Sequence, residues 1–297
     1  GHGVPPGPEH GPHIDGGLGV EVAVLGGDTG CNRSPRSTVW LGSYHSPGVC
    51  VPLRFTDCSF SYRADTPVLD HLTVDFPEGC TVLLGPNGAG KSTLLSLGAS
   101  ALVPSAGSVT LGRADSVRRR DRRAYRQRVG WLPQDVKPIP ALTVREQAAY
   151  VGWLKGLSKS EAWDRSADAL NRVRLTELGG RKSHELSGGQ LRRLGIAQTL
   201  VHQAEVVLLD EPTAGLDPVQ RGVFRDLLAE LSTSVHFIVS THQTEDLADI
   251  YDTVIVFDRG QPVFRGSVAE FFSTAPAGTA YERRAESAYR GLVRGEV

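Results

Sequence analysis

The amino acid that this chain of 297 residues lacks altogether is methionine, at position 1 as elsewhere. A chain without an initiating methionine is expected to be processed or truncated, and its start, Gly1-His2, resembles the remnant of a tag. Cysteine is also scarce. The four cysteines show neither C-x-x-C nor metal-ligand spacing, which predicts free thiols in a reducing compartment. They are Cys31, Cys50, Cys58 and Cys80.

An excess of one charge and a long apolar run are missing too. The formal net charge is −1, which gives no overall attraction to nucleic acid or to anionic lipid. The longest uncharged stretch, residues 92–112, has the length of a membrane span, but a proline and several glycines and serines argue against one. No basic region followed by an apolar one marks a secretory signal. We therefore expect a soluble cytosolic protein.

The first fifty residues lack hydrophobic periodicity. Residues 1–50 hold twelve glycines and six prolines, and their four histidines are scattered among turn-forming residues. Such a composition is typical of segments that bury too little apolar surface to fold. It favours a disordered, dispensable extension over a metal-binding tail.

One stretch that is present, residues 85–93, fits G-x-x-x-x-G-K-[ST]. It follows an apolar run and opens a leucine-bearing segment, the strand–loop–helix context that a phosphate-binding loop requires. Its glycines allow backbone N–H groups to approach phosphate oxygens, and the helix presents its positive end to the same anion. Lys91 is expected to reach the β- and γ-phosphates, and Ser92 to ligate Mg²⁺. The predicted nucleotide-binding residues of the loop are Gly85, Pro86, Asn87, Gly88, Ala89, Gly90, Lys91, Ser92 and Thr93.

A second apolar run, residues 206–210, ends in two carboxylates. Ligands of a parallel sheet lie at the carboxyl ends of its strands, so this strand would deliver Asp210 and Glu211 to the phosphates. Asp210 is expected to hold Mg²⁺, and Glu211 to polarise the attacking water. Solvated acids at a strand end are common singly, but the pair after a phosphate loop favours the functional interpretation.

The remaining patterns predict an α/β protein of one or two domains. Predicted strands are 53–60, 72–76, 81–84, 108–111, 129–134, 206–210, 235–240 and 253–257. Capping boxes at Thr143 and Ser158 predict two helices of a small insertion. Further predicted helices are 189–203, 219–231, 245–251 and 281–294. Residues 117–128 carry seven arginines with one aromatic among them, which favours a solvated face over a nucleic-acid site.

Residues 186–190, Leu-Ser-Gly-Gly-Gln, have no use in a lone phosphate-loop fold. Ser187 is a good N-cap, and the glycines leave the amide end of the next helix open to an anion. One nucleotide needs only one such helix start. The second is therefore expected to serve the γ-phosphate of a nucleotide held by another subunit.

With these residues the sequence resembles the ABC ATPases, over residues 51–275. Their signature matches 186–190, and the continuation of their magnesium strand matches 211–218. The resemblance implies four further positions of the family on this chain: the glutamine loop at Gln134, the aspartate loop at Asp217, the switch histidine at His242 and the adenine-stacking aromatic at Tyr62. Phe60 competes with Tyr62 for the last role, because it lies on the same strand face.

The resemblance implies a fold, an activity and partners. The fold is a P-loop NTPase core of ABC type with an antiparallel β subdomain, a helical subdomain at about 136–186 and a C-terminal helical tail at 276–297. Two copies, identical or not, would pair head to tail around two ATP molecules with Mg²⁺. Gln134 would sense Mg²⁺ and water. Across the dimer, each nucleotide would meet the partner's copy of Ser187, Gly188, Gly189 and Gln190.

Three classes of ABC protein compete for this chain. Chromosome and repair members place a long coiled coil between phosphate loop and signature, and ribosome-acting members carry two cassettes; neither feature is present. The expectation is an ATPase subunit bound to a separate transmembrane permease chain at the cytoplasmic face of the membrane, without nucleic acid. Residues 179–185 lack the loop of multidrug exporters, and few residues follow the last predicted strand for a regulatory domain. A separate-chain exporter is favoured over an importer.

Overall fold

The computed structural model describes residues 53–63, 66–244, 247 and 250–294. The predicted extension at 1–50, with Cys31 and Cys50, lies outside these residues, as does most of the predicted helix 245–251. Cys58 and Cys80 are buried free thiols, as predicted. Burial raises the pKa of Cys80 to about 12, so this thiol stays protonated and unreactive.

The described strands form two sheets. They are β1 (Leu53–Arg63), β2 (Thr66–Phe76), β3 (Cys80–Leu84), β4 (Ala106–Leu111), β5 (Ala114–Asp115), β6 (Val129–Leu132), β7 (Val206–Asp210), β8 (His236–Thr241), β9 (Thr253–Asp258) and β10 (Gln261–Gly266). A four-stranded antiparallel sheet has the order β2-β1-β4-β5, and a six-stranded sheet has the order β10-β9-β3-β8-β7-β6. All neighbours in the larger sheet are parallel except β10, which pairs antiparallel with β9.

The described helices cover both faces of the larger sheet. They are α1 (Lys91–Gly98), α2 (Arg122–Arg128), α3 (Val144–Leu154), α4 (Lys159–Arg172), α5 (Gly188–Leu200), α6 (Pro218–Ser232), α7 (Val268–Ser273) and α8 (Tyr281–Arg294). Two hydrophobic clusters separate at β3, where Val82 packs into one and Leu83 into the other. Successive strand residues point to opposite faces, so this alternation places the sheet between the clusters. The predicted buried parallel sheet is confirmed.

The helical insertion starts as its sequence predicts. Thr143 and Ser158 each accept the backbone N–H three residues on, and Glu146 and Glu161 return the bond to the cap. Each reciprocal pair satisfies two N–H groups that a helix start leaves without a partner. Helices α3 and α4 then pack against α5, which carries the signature at its start.

The arginine-rich segment contains a helix that the sequence analysis did not predict. Its second half is α2, where Tyr125 is fully buried and donates to the Gly98 carbonyl at the end of α1. Arg128 is tied to the Glu205 carboxylate and donates to the Leu111 carbonyl. The predicted solvated face is confirmed for the arginine side chains, since five of the seven are exposed and none is buried, but the helix and its buried Tyr125 anchor were not predicted. Strand β10 and helix α7 were not predicted at all.

No helix in the described part of the chain combines the length and the apolar character needed to cross a bilayer. A membrane span within residues 92–112 was rejected from the sequence, and that segment instead holds α1 and β4.

Tyr125→Phe tests the anchor of α2. Removing the hydroxyl leaves the buried Gly98 carbonyl without its donor, and we expect a loss of about 1–3 kcal/mol in the free energy of unfolding, measured in urea. Tyr281→Phe is the control, because Tyr281 is 73% exposed, and a change below about 0.5 kcal/mol is expected there. Equal stability of the two variants would contradict the anchoring role.

Candidate active site

The loop after β3 has the backbone that its glycines predict. Gly88 and Gly90 have φ values of +83° and +101°, a region that residues with a Cβ rarely enter. A Cβ on Gly85 would lie 2.3 Å from the Phe257 carbonyl oxygen, so any side chain there would displace the loop. Helix α1 begins at Lys91, directly behind the loop. The result is a glycine cradle that ends in the positive start of a helix.

Lys91 is buried at the base of this cradle. Its Nζ donates to the carbonyl oxygens of Gly85 at 2.7 Å and Pro86 at 3.1 Å. Glu211 Oε1 lies 3.7 Å from the same nitrogen. Burial lowers the pKa of Lys91, and the charges of Glu211 and Asp210 act in the opposite direction. The lysine thus joins the phosphate loop to the end of β7.

The two carboxylates lie where the sequence predicts, at and just after the end of β7. Ser92 Oγ donates to Asp210 Oδ1 at 3.1 Å, and Ser240 Oγ donates to the same oxygen at 2.7 Å. The Glu211 backbone N–H in turn donates to Ser240 Oγ at 3.0 Å. Ser240 is fully buried and was missed by the sequence analysis. Its only signal is a polar residue within the apolar strand β8.

Glu211 occupies a strained position. Its φ is +44°, in the left-handed region that costs a residue with a Cβ about 1–2 kcal/mol. Its Oε1 lies 3.0 Å from His242 Nδ1, so the histidine of β8's following loop meets the second acid directly. Backbone strain of this kind is concentrated at functional sites.

These groups share one cleft of about 660 Å³. Predicted site residues lining it are Tyr62, Asn87, Gly88, Gly90, Lys91, Ser92, Thr93, Gln134, Glu211 and His242. Val68 and Ala214 also line it, and neither was predicted. Tyr62 is 64% exposed at the rim, with its hydroxyl 3.3 Å from Thr93 Oγ1 and its ring edge-on to Phe60. An exposed aromatic face beside the phosphate loop suits a stacked base.

The signature residues lie elsewhere. Ser187, Gly189 and Gln190 line a separate pocket with Gln220 of α6. Ser187 Oγ accepts from the Gln190 N–H at 3.3 Å, and Gln190 Oε1 accepts from the Ser187 N–H at 3.0 Å. Asp217 accepts from the Gln220 N–H at 2.9 Å as the N-cap of α6. One chain therefore brings together the phosphate loop, the acids and His242, but not the signature.

The oxygen donors of the cleft fit a magnesium ion. Mg²⁺ is usually held by one or two carboxylates together with substrate phosphates, and Ser92 and Asp210 supply the protein share of that set. Among the described residues, no group of three or more His, Cys, Asp or Glu side chains could hold a metal ion. The hydroxyl of Ser92 and the carboxylate of Asp210 suit a hard cation that takes most of its ligands from phosphate and water.

Ser240→Ala tests whether the missed serine positions the acids. Outer-sphere partners of metal ligands are worth about 10- to 100-fold in metal affinity, so nucleotide binding should require correspondingly more Mg²⁺. A titration of a fluorescent nucleotide at several Mg²⁺ concentrations measures the shift. Ser105→Ala, which removes a hydroxyl bonded to the Ser59 carbonyl, is the control. An unchanged Mg²⁺ requirement in Ser240→Ala would remove Ser240 from the site.

The sequence of this chain is similar to those of known ATP-binding proteins of transporters. Residues 69–214 match the ABC transporter family. The chain is 36% identical over 244 residues to the energy-coupling factor transporter ATP-binding protein EcfA2 of Lactiplantibacillus plantarum, covering 78% of this chain and 83% of that one. It is 38% identical over 219 residues to the cobalt import ATP-binding protein CbiO of Rhodobacter capsulatus, covering 72% and 78%. It is 35% identical over 193 residues to the linearmycin resistance ATP-binding protein LnrL of Bacillus subtilis, covering 64% and 61%.

Solved structures show the same fold. The structure of cbiO1 from Clostridium perfringens, part of an ABC transporter complex, matches with a TM-score of 0.68 and 28% identity, covering 76% of this chain and 92% of that one. A dimeric ABC transporter cassette, MJ0796, matches with a TM-score of 0.65 and 23% identity, covering 73% and 98%, which bears on the fold alone. The chain belongs to the ABC transporter family, as an ATP-binding protein that hydrolyses ATP to power transport.

Proposed function

We propose that this chain forms half of a composite ATPase, in which each ATP lies between the phosphate loop of one subunit and the signature of another. The observation that carries the proposal is the separation of two phosphate-binding helix starts. One opens into the 660 Å³ cleft with Glu211 and His242, and the other lies outside that cleft. A single nucleotide can use both only when a second subunit supplies one of them.

The residues of the cleft divide the work. Lys91 would hold the β- and γ-phosphates, while Ser92 and Asp210 would hold Mg²⁺. When bound, the ion would neutralise phosphate charge as the bond to the leaving group breaks. Glu211 would orient the attacking water and take its proton, and His242, 3.0 Å from Glu211, would bind the γ-phosphate beside it.

The signature residues suit an anion brought by the partner. Ser187 starts α5, and a Cβ added to Gly188 would meet no atom within 4 Å, so the helix start is open. Backbone N–H groups and the helix dipole at such a start favour negative charge. In the dimer these groups would complete the γ-phosphate site across the interface.

A membrane chain is the proposed partner, at the cytoplasmic face of the membrane. Two hydrogen bonds fix the loop between β6 and α3, because Gln147 Oε1 and Ser183 Oγ both accept from the Ile139 N–H. On α3, which follows this loop, the rings of Tyr150 and Trp153 are tilted relative to each other with their centroids 5.9 Å apart, and both side chains are exposed. This loop and the exposed aromatic side chains of α3 together would form the surface to which a helix of the membrane chain binds.

The names of the relatives bear on the direction of transport. CbiO is named for cobalt import and the EcfA2 proteins for energy-coupling factor transporters, whereas LnrL is named for linearmycin resistance. Together they support the importer alternative more than the exporter that the sequence favoured. We therefore propose import, with the transported substrate selected by the membrane chain.

Lys91→Ala and Ser187→Arg should fail in different ways. Lys91→Ala removes a charged contact within one subunit, so nucleotide binding should weaken by roughly 10- to 100-fold, the equivalent of about 1.5–3 kcal/mol. Ser187→Arg blocks the contact across the dimer, so ATP should bind normally while hydrolysis falls by about 10³-fold. Nucleotide titration and steady-state phosphate release measure the two effects.

The chain offers a matched control for the second variant. Ser158 caps α4 through the same reciprocal bonds as Ser187, so Ser158→Arg removes an equivalent cap outside the signature. Hydrolysis should survive in Ser158→Arg. Equal loss of nucleotide binding in Lys91→Ala and Ser187→Arg, or equal loss of hydrolysis in the two cap variants, would refute the composite site.

Trp153→Asp tests the membrane partner. Trp153 is 48% exposed, so the change should leave nucleotide binding intact while it removes apolar surface for the membrane chain. Co-purification of the membrane chain from native membranes should be lost. Val263→Asp is the control, because Val263 is 44% exposed on β10. Strand β10 is one edge of the larger sheet, and β6, which precedes α3 in the chain, is the other. Retained co-purification in Trp153→Asp would exclude this surface.

A further inference from the structure

Arg192, one turn into α5, connects two walls of the nucleotide cleft. Its Nη1 donates to the Gln134 carbonyl oxygen at 2.5 Å, and its Nη2 donates to the Ala214 carbonyl oxygen at 3.4 Å. Gln134 and Ala214 both line the cleft, one after β6 and the other after β7. The Arg192 side chain is partly buried and is absent from the cleft lining. It therefore acts on the nucleotide site through the backbone of its neighbours.

An arginine is suited to this position in a way that other cations are not. Its planar fork presents two N–H groups at a fixed spacing, so one side chain can hold two carbonyls at once. The guanidinium stays charged at any physiological pH, and hydrogen bonds from a charged donor are stronger than neutral ones. Asp135, next to Gln134 in the chain, adds a favourable charge interaction with Arg192.

Close packing makes the connection rigid. A Cβ on Gly195 of α5 would lie 2.3 Å from Leu132 Cδ1 and 3.1 Å from Val136 Cγ2. These two residues flank Gln134, so α5 touches the glutamine loop on both sides of the hydrogen bond. Closely packed side chains leave little free space, so a displacement of one element is transmitted to the element packed against it. A movement of α5 therefore moves Gln134.

The helix that carries Arg192 also carries the signature. Ser187 and Arg192 are five residues apart, about 7.5 Å along the helix axis. Under the proposed function, on which this inference rests, Ser187 meets the nucleotide of the partner while Gln134 meets the nucleotide of its own subunit. We propose that Arg192 is a positioning residue that couples the two nucleotide sites of the dimer, by tying Gln134 and Ala214 to the signature helix.

The neighbouring arginine shows that this link is specific to position 192. Arg193 donates instead to the carbonyl oxygens of Val173 and Arg174, after α4. It ties α5 to the helical insertion and makes no bond to the nucleotide cleft. Arg192 is thus the arginine of this pair that bridges the signature helix to the walls of the cleft.

Arg192→Gln is the test. Nucleotide affinity should stay within about threefold of the parent, while the maximal rate of ATP hydrolysis falls by about 10- to 100-fold. The dependence of rate on ATP concentration should also lose any cooperativity shown by the parent. Arg192→Lys should restore part of the rate, because it supplies one of the two donors.

Arg172→Gln is the matched control. Arg172 of α4 donates to Ser234 Oγ, so it also ties the helical insertion to the core, but at a distance from Gln134. Its removal should leave hydrolysis within about twofold of the parent. In a Gln134→Ala background, Arg192→Gln should have little further effect, because the side chain that it positions is gone.

Hydrogen exchange gives a readout that does not depend on hydrolysis. In the nucleotide-free chain, Arg192→Gln should speed exchange in peptides that cover residues 134–137 and 213–216, and Arg172→Gln should not. Unchanged exchange in these peptides overturns the proposal. So does a loss of hydrolysis rate in the Gln134→Ala, Arg192→Gln double variant that equals the sum of the two single losses, or an equal loss of rate in Arg192→Gln and Arg172→Gln. A parent chain that binds ATP without hydrolysing it would instead count against the proposed function. The hydrogen-exchange comparison would then still test whether Arg192 holds the loops of Gln134 and Ala214.

Discussion

A small set of buried charges at the end of the larger sheet organises this molecule. Lys91 and Asp210 are buried and the Glu211 side chain is 12% exposed, so an isolated charge at any of these positions would be destabilising. They are tolerated because each is bonded: the lysine to loop carbonyls and to Glu211, and Asp210 to two hydroxyl groups. The loop, the two strand ends and Ser240 must therefore adopt one arrangement together.

The sheet topology makes that arrangement possible. Strand β3 lies between β9 and β8, β8 lies next to β7, and all four strands are parallel. The phosphate loop, His242 and the acid pair therefore all follow the carboxyl ends of neighbouring strands. The same order puts the glutamine loop after β6, beyond β7. Helix α5 passes behind these loops, which is why one arginine can contact two of them.

Much of this could be predicted from the sequence, because the strongest signals are local. The glycine loop, the acid pair and both capping boxes of the insertion depend on residues a few positions apart. What could not be predicted depends on distant partners. Ser240 lies thirty residues from Asp210, and Arg192 lies fifty-eight from Gln134.

The failures have the same origin. Seven arginines in twelve residues correctly indicate a solvated surface, but they give no signal for the helix that the buried Tyr125 anchors there. Strand β10 alternates exposed and half-buried residues at the edge of the sheet, so its sequence carries little hydrophobic pattern. Pairing with β9 supplies the hydrogen bonds that make it a strand. In each case a single long-range contact outweighs the local composition.

The left-handed backbone of Glu211 has a consequence for how such a site can be lost. The strain there, of about 1–2 kcal/mol, is a standing cost to stability at a residue that lines the nucleotide cleft. A duplicated copy of this chain, released from selection for hydrolysis, would lose this strain with asparagine at that position, but it would also lose the carboxylate 3.7 Å from Lys91. The side chain that strains the backbone is thus also one that keeps a buried charge paired, so the two effects of losing it on folding stability oppose each other.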